Sequence, residues 1–490
     1  MAIRPRFFIN KSDLLSGIFV AFFADSHSLL WPDNTDKNKV HPMSMPEVIK
    51  PAVRSNYRWV VAALIFLIYT IAAADRANLG VALPFIRKEF EMSNAEAGGL
   101  MSLFLLAYAL AQIPSGFAFG RFGVSRILPG AMVLTSLLTG LVGTASSLLA
   151  LKLYRLGLGV AEGPLPISMT TTINNWFPAR EKGTASGIFL SAVKFGPVIV
   201  PPLCAVIISV WGWREIFYFF ALPGIVLAVI WYFMVTDHPS RSRFVNAAEL
   251  NHIIEETGST EATQQARPRK IPAWVGKLDR VIRARHETPL ETNRQVFKSW
   301  NIWGCATSYC FQLGVSSVLL AWIPTYLMTV KQFSIMNMGL VSAAPWVGAV
   351  LGNLLGGFCS DRLMGGRRKP GMLLSALGTS LMMYLLINSP AEPLPYGLLL
   401  MLTGVVLSLG FSSYMVYPMG LTTKKTFPIS NAIVNMVGQL GAAATPFITG
   451  LLLDNYGWNY VFAWLAVGSF ISFILLLTIS EPRARLNAPV

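Results

Sequence analysis

Asp75-Arg76-Ala77-Asn78-Leu79 places an acid beside a base inside the first long apolar segment of the chain, which runs from about Trp59 to Pro84. That segment is long enough to cross a bilayer. An ionisable side chain at membrane depth costs at least about 2.5 to 3.5 kcal/mol on insertion scales. An ion pair that only neutralises itself while helices pack is one explanation. We favour a functional role, because further charges recur in later apolar segments.

The composition is that of a membrane protein. Of 490 residues, 53% are hydrophobic and only 13% are charged, which is too apolar for a soluble protein of this size. The net charge of +15 would suggest a nucleic-acid partner in a soluble protein, but here its distribution along the chain matters more, and we expect no nucleic acid. The four cysteines lie in apolar segments without metal-ligand spacing, so we expect no disulfide framework, metal or cofactor.

Apolar runs separated by Gly, Pro and charged residues predict twelve membrane-spanning helices, since only helices satisfy their backbone hydrogen bonds within lipid here. Six spans precede a polar central stretch and six follow it. The sequence therefore predicts an all-α membrane protein of two six-helix bundles. The predicted spans cover residues 59–84, 96–118, 127–146, 150–173, 183–210, 214–235, 300–329, 336–359, 370–388, 395–420, 428–453 and 457–479.

The distribution of Lys and Arg predicts the orientation. Loops on one side of the predicted membrane hold 31 of the 39 Lys and Arg residues, and loops on the other side hold 4. Lys and Arg concentrate in cytoplasmic loops, so both termini are predicted to be cytoplasmic. The predicted parts are a polar extension that is a candidate for disorder, a bundle, a cytoplasmic linker, a second bundle and a tail, over residues 1–58, 59–235, 236–299, 300–480 and 481–490.

An internal repeat indicates that the two bundles are related by pseudo-symmetry. Gly116-Phe117-Ala118-Phe119-Gly120-Arg121, followed by Arg126, matches Gly357-Phe358-Cys359-Ser360-Asp361-Arg362, followed by Arg367, at a constant offset of 241 residues. The alternative is that Gly-rich helix ends followed by Arg are common at cytoplasmic boundaries.

Several further groups of residues carry a resemblance to a known family. They are Asp75-Arg76-Ala77-Asn78-Leu79, Tyr108 with Gln112-Ile113-Pro114, Arg155 with Glu162, Trp322-Ile323-Pro324-Thr325-Tyr326-Leu327, and Asn435 with Gly438 and Pro446. Over residues 59–480 the chain resembles the major facilitator superfamily. It looks most like the anion:cation symporter branch, which includes sugar-acid, tartrate and phthalate permeases and sialin-like carriers.

Two positions depart from the family pattern. Gly120 stands where the family has Asp, whereas Asp361 keeps that acid in the second copy of the repeat. Lys194 lies near a position where sugar-acid permeases tend to be uncharged and polar. The resemblance implies a conformational gate formed by Gly116, Gly120, Arg121, Arg126, Gly357, Asp361, Arg362 and Arg367.

The charges inside the predicted spans favour an anion. Apart from Glu96, Arg214 and Glu215 at the first positions of their spans, two acids and four bases lie there, namely Asp75, Glu162, Arg76, Lys152, Arg155 and Lys194. Lys152 is near a helix end and can reach the membrane surface. The other five lie in the N-terminal half and sum to +1 when both acids are ionised. Such a half would attract an anion.

Helical geometry relates these charges to one another. Arg155 and Glu162 are seven residues apart, so they share one helix face and lie about 10 Å apart along it. Lys194 lies about 16 Å into its helix, near the membrane midplane, where substrate sites of transporters occur. It is the base left over after two acid–base pairs, so its expected partner is the substrate. Pairing with Glu162 is the alternative.

These observations predict a secondary active transporter that imports an organic anion, a sugar acid or other carboxylate, with protons by alternating access. Asp75, Glu162 and Arg155 are predicted to couple the proton. The predicted substrate-binding residues are Arg76, Asn78, Tyr108, Lys194, Tyr309, Gln312, Tyr414, Asn435 and Gln439. For the polar residues of the second half, hydrogen bonding between helices is an equal alternative.

Other functions remain as alternatives. Efflux of small molecules by proton antiport would predict a larger aromatic cavity and less basic excess, and a non-transporting sensor would be expected to carry a signalling domain. An enzyme is not expected, because all five histidines lie outside the spans and no nucleophile or metal constellation occurs. We expect a monomer that crosses the bacterial inner membrane many times, with an organic anion, protons and lipid as its partners.

Overall fold

The computed structural model describes residues 55–178, 181–258, 279, 282–285, 287–389, 391–423 and 425–482. Most of the predicted extension 1–58 and of the tail 481–490 lies outside these residues, as does the middle of the linker 236–299. In the described part, two short strands, β1 Ala284–Arg285 and β2 Glu481–Pro482, pair in parallel.

Helices form nearly all of the described chain. Their bounds are α1 Tyr57–Glu89, α2 Asn94–Phe122, α3 Val124–Thr144, α4 Leu148–Glu162, α5 Leu165–Trp176, α6 Lys182–Val210, α7 Trp213–Met234, α8 Ala247–Gly258, α9 Asn293–Lys298, α10 Trp300–Thr329, α11 Ile335–Phe358, α12 Lys369–Ile387, α13 Pro393–Ser408, α14 Phe411–Val416, α15 Phe427–Asn455 and α16 Trp458–Thr478. Short 3-10 turns occur at Pro239–Arg241 and Tyr417–Gly420, and a π-helical turn at Cys359–Leu363.

The prediction of an all-helical membrane protein is confirmed, but two predicted spans are interrupted. Eleven helical segments among the described residues are long and apolar enough to cross a membrane. The span 395–420 is divided between α13 and α14 at residues 409 and 410. The fourth predicted span, 150–173, is not one continuous helix, because the chain divides it into α4 and α5 at Gly163 and Pro164. Proline has no backbone N–H to extend the ladder of α4. The two pieces, of 15 and 12 residues, are each shorter than a usual span.

The hydrophobic core is shared by the two halves at one end of the molecule and divided at the other. One cluster contains both Trp213 of the first half and Trp322 of the second. We name this the joined end; it carries the α1–α2 connection at residues 90–93. At the opposite, divided end, the first half has its own cluster around Trp176, and the second half has another around Tyr417. The halves therefore meet closely at one end only.

Contacts between α2 and α15 hold the joined end together. A side chain added at Gly98 would overlap the main-chain oxygen of Pro446, so the two backbones lie in direct contact there. The Asp454 carboxylate also accepts hydrogen bonds from the backbone N–H groups of Asn94 and Ala95, at 2.9 and 2.8 Å, and from the Asn94 amide at 2.8 Å. Asp454 thus caps the start of α2 from the opposite half.

At the divided end, the start of the predicted linker is attached to the first half. Glu249 of α8 accepts backbone hydrogen bonds from Tyr57 and Arg58 at 2.9 and 3.1 Å, which caps α1. The Arg58 guanidinium also donates to Glu181, at 2.6 and 3.1 Å. This hydrogen bond holds the pKa of Glu181 below its ordinary value.

The end of the linker is attached to the second half in a similar way. The Arg367 guanidinium donates to both carboxylate oxygens of Asp279, at 2.9 and 3.0 Å. The Glu481 carboxylate accepts backbone hydrogen bonds from Arg368 and Lys369, both at 2.8 Å, and burial raises its pKa. Each half therefore has its own loop attachments at the divided end.

Candidate functional site

A buried ion pair joins α1 to the end of α4. The Arg76 Nε atom lies 3.2 Å from Glu162 Oε2, and the Glu162 side chain is 0% exposed. The other carboxylate oxygen of Glu162 and the Nη2 nitrogen of Arg76 are also buried, and neither has a hydrogen-bond partner in the described part of the chain. Breaking such a pair by removing one partner leaves an uncompensated buried charge, which is strongly destabilising. Both groups nevertheless keep free hydrogen-bonding capacity.

Asp75 and Arg155 lie beside this pair. The Arg155 guanidinium donates to the main-chain oxygen of Asp75 at 3.3 Å, and the Asp75 carboxylate accepts from the Asn78 amide at 3.3 Å. Arg155 therefore reaches α1, where its hydrogen bond is to the Asp75 carbonyl rather than to the carboxylate. Both side chains are almost fully buried. The predicted proton-coupling residues Asp75, Arg155 and Glu162 therefore lie in one cluster together with Arg76.

Aromatic rings cover the two guanidinium groups. The Arg76 guanidinium carbon lies 4.4 Å from the ring centre of Tyr108 and 5.9 Å from that of Tyr69. The Arg155 carbon lies 4.6 Å from the ring centre of Phe104. Cation–π contacts of this kind stabilise desolvated cations. They let α1, α2 and α4 hold two arginines at membrane depth.

Lys194 of α6 points to the other half of the protein. Its Nζ atom lies 4.7 Å from the ring centre of Phe411 and 5.6 Å from that of Trp346, both in the second half. Glu162 is paired with Arg76, and among the described residues no ion pair to Lys194 occurs. The alternative of a Glu162–Lys194 pair is therefore absent from this conformation.

The packing of α6 on α1 places Lys194 near Arg76. A Cβ atom added at Gly196 would lie 2.7 Å from the Ala73 side chain, so the two helices touch at this level. Both helices start at the divided end and run in the same direction. At 1.5 Å per residue, Arg76 and Lys194 then lie about 8 Å apart along the helix axes.

The predicted polar residues of the second half make contacts within that half. The Gln312 amide donates to Ser469 at 2.8 Å, and the Tyr414 hydroxyl lies 2.9 Å from the Ser308 hydroxyl. The Asn435 amide donates to the main-chain oxygen of Asn431 at 3.2 Å. The ring centre of Tyr309 lies 5.6 Å from that of Phe411 and 5.0 Å from that of Tyr414. Gln439 is half-buried and lies one helical turn after Asn435.

The predicted gate residues lie at the divided end. The side chains of Arg121 and Asp361, and the surroundings of Gly116 and Gly120, lie outside what the structure describes. Of the others, Arg367 binds Asp279 and Arg362 is exposed. A Cβ atom added at Gly357 would meet no described atom within 4 Å. Arg126 lines a polar cleft together with Asp237 and Arg241.

Three features were missed by sequence reasoning. The first is the pair of rings beside Lys194: in the sequence, Trp346 and Phe411 look like ordinary core residues of apolar spans. Gly410, just before Phe411, is the local signal of the helix break that positions that ring. The partner of Asp454 is 360 residues away in sequence, so no local pattern indicates it. Glu249 lies in the linker, where capping of a distant helix leaves no spacing signal.

The fold and this cluster define the class of protein. Ionisable residues buried between the helices of a two-bundle membrane protein are typical of a solute transporter. The profile of the Major Facilitator Superfamily matches residues 65–419 and 332–490. The chain belongs to the Major Facilitator Superfamily and is a transporter rather than an enzyme.

Similar proteins are transporters of organic anions by name. The probable sulfoacetate transporter of Cupriavidus necator is 28% identical over 88% of this chain and 96% of its own length. The probable galactarate/D-glucarate transporter of Escherichia coli K12 is 26% identical over 87% and 94%. The hexuronate transporter of Bacillus subtilis is 27% identical over 88% and 96%.

Two solved structures share the fold. An inward-facing, occupied structure of a bacterial homolog of the human lysosomal transporter Spinster has a TM-score of 0.69 and 16% identity, over 86% of this chain and 96% of that one. A D-xylose-proton symporter has a TM-score of 0.66 and 17% identity, over 87% and 98%.

Proposed function

We propose that this protein imports an organic anion together with protons by alternating access. The observation that carries the proposal is an excess of positive charge between the apolar helices. Among the described residues, Arg76, Arg155 and Lys194 face only two carboxylates, those of Asp75 and Glu162, and Lys194 has aromatic rings rather than an acid beside it. Excess charge at membrane depth is costly, and a bound anion would offset that cost.

Arg76 is the residue for which the substrate carboxylate and the Glu162 carboxylate would compete. Its Nε atom binds Glu162, while its Nη2 atom is buried and has no partner among the residues that the structure describes. A proton on Glu162 would remove the ion pair and leave the guanidinium to bind a substrate carboxylate through two hydrogen bonds. Loss of that proton would restore the pair and weaken substrate binding. Proton and anion would then enter and leave together.

The proposed orientation assigns each end of the molecule to one side of the membrane. The concentration of Lys and Arg at the divided end supports a cytoplasmic location for that end and for both termini. The conformation described here would then be inward-facing, with the joined end closed toward the outside. The outward-facing form requires separation of α2 from α15 at the Asp454 contact. We place the protein in the bacterial inner membrane as a monomer.

The names of the similar proteins support an anionic substrate. Sulfoacetate, galactarate, glucarate and hexuronates differ in size and in their hydroxyl groups, but all carry at least one carboxylate. Buried bases such as Arg76 and Lys194 recognise that shared group. At these identities the likeness supports the class of substrate and not its particular structure.

Uptake into proteoliposomes with an acidic exterior tests the proposal. The wild type should accumulate at least one of galactarate, sulfoacetate or benzoate above equilibrium. Glu162→Gln should abolish this accumulation and keep exchange of the same anion, since glutamine cannot carry the proton. Glu89→Gln serves as control, because Glu89 pairs with Arg214 at the surface of the joined end. Undiminished accumulation by Glu162→Gln would contradict the proton assignment. Proton-driven transport of cationic drugs instead of anions would support efflux.

A further inference from the structure

The wall of the site that belongs to the second half is aromatic where Lys194 meets it. Phe411 and Trp346 present their rings to the Lys194 amine at 4.7 and 5.6 Å. Behind them, Tyr309 continues the ring cluster, with its centre 5.6 Å from that of Phe411 and at 75° to it. This is edge-to-face packing, in which rings stabilise one another.

The position of Phe411 is set by a break in the chain. Helix α13 ends at Ser408 and α14 starts at Phe411, with Gly410 between them packed on α12. A Cβ atom at Gly410 would lie 3.1 Å from the Met372 Cα atom, so only glycine fits without displacement. Phe411 is therefore held at a fixed point opposite Lys194.

Several groups in this half that would bind hydroxyls are engaged elsewhere. The buried Gln312 amide nitrogen donates to Ser469, the Tyr414 hydroxyl contacts that of Ser308, and the Asn435 amide donates to its own helix, which leaves the Gln312 carbonyl oxygen without a partner among the described residues. A polyhydroxylated acid entering the site would have to remove water from several hydroxyls and find few partners. Buried polar groups left without partners cost free energy, whereas a planar ring has none to satisfy.

We propose that the transported anion is an aromatic carboxylate, with its carboxylate between Arg76 and Lys194 and its ring against Phe411 and Trp346. This inference rests on the proposed function and narrows its substrate. The Lys194 amine pairs with the carboxylate, and the two rings of the second half contact the ring of the substrate. The substrate thereby connects the two halves of the protein.

Three probes separate charge from ring recognition. Benzoate and cyclohexanecarboxylate have the same charge and similar size, but only benzoate has a π face, and galactarate is a polyhydroxylated dicarboxylate. Calorimetric titration of the purified full chain should give benzoate at least fivefold tighter binding than either other probe. Phe411→Leu and Trp346→Leu should reduce this preference to about twofold or less. Phe470→Leu, at an exposed ring of α16, should leave it unchanged.

The outcomes distinguish this inference from the proposed function. Binding of galactarate that is tighter than that of benzoate would overturn the aromatic assignment and leave anion transport standing. A benzoate preference that survives both leucine variants would also overturn it. If none of the three anions binds or is taken up by the wild type, the proposed function fails as well. Should a leucine variant not fold, the wild-type ratio of benzoate to cyclohexanecarboxylate binding still decides.

Discussion

Replacing Asp454 by asparagine removes the charge from a contact that connects the two halves at the joined end. In the structure, the carboxylate accepts three hydrogen bonds of 2.8 to 2.9 Å from Asn94 and Ala95 at the start of α2. Asparagine keeps one acceptor oxygen but loses the favourable interaction of a negative charge with a helix N-terminus. The conformation with the joined end closed should therefore become less stable.

The magnitude follows from the exposure of the contact. Hydrogen bonds to a charged group contribute about 1.5 to 3 kcal/mol when buried, but Asp454 is exposed, and solvent reduces this to about 1 kcal/mol. A change of about 1 kcal/mol alters a conformational equilibrium about fivefold. Spin labels at Lys88 and Tyr460, both exposed at the joined end on opposite halves, report the distance between the halves there. In Asp454→Asn, the ratio of the population with longer label–label distances to that with shorter ones should rise about fivefold. The four native cysteines are replaced first.

Glu89→Gln is the matched control for this experiment. Glu89 binds Arg214 at 2.6 and 2.7 Å, so it also makes charged hydrogen bonds at the joined end, but both partners belong to the first half. Its replacement should leave the distance distribution unchanged. Equal distributions for wild type and Asp454→Asn, or an equal shift in the control, would refute the argument that Asp454 stabilises the closed joined end.

Two further predictions concern single charges. Lys194→Gln should weaken anion binding by about tenfold or more, as expected for loss of a charge-assisted hydrogen bond, while the yield of folded protein stays near that of the wild type; unchanged affinity in a titration would remove Lys194 from the site. Glu181→Gln should lower the melting temperature at pH 7, because Arg58 holds the pKa of Glu181 below its ordinary value and so stabilises the folded state above that value. This contribution is lost as the pH falls below the ordinary carboxylate pKa and through the lowered one, so the melting temperatures of the two proteins should converge in acid; a difference that does not depend on pH would contradict the argument.

The sequence by itself determined the helices and the buried charges. Apolar runs of sufficient length must be helical in lipid, because each backbone group needs a partner within its own segment. The predicted span 300–329 therefore coincides with α10 at Trp300–Thr329. The span 150–173 was predicted as one helix because its length and hydrophobicity suffice. Pro164 alone does not signal the division, since α6 stays continuous through three prolines.

Only the tertiary structure decided which groups meet. Arg76 binds Glu162 across 86 residues of chain, and Asp454 binds Asn94 across 360. Spacing along one helix places side chains on a face, as it did for Arg155 and Glu162, but the helix that packs on that face depends on close contacts such as that of Gly196 with Ala73. The rings opposite Lys194 depend in the same way on how the two halves pack, and this packing changes as a transporter alternates.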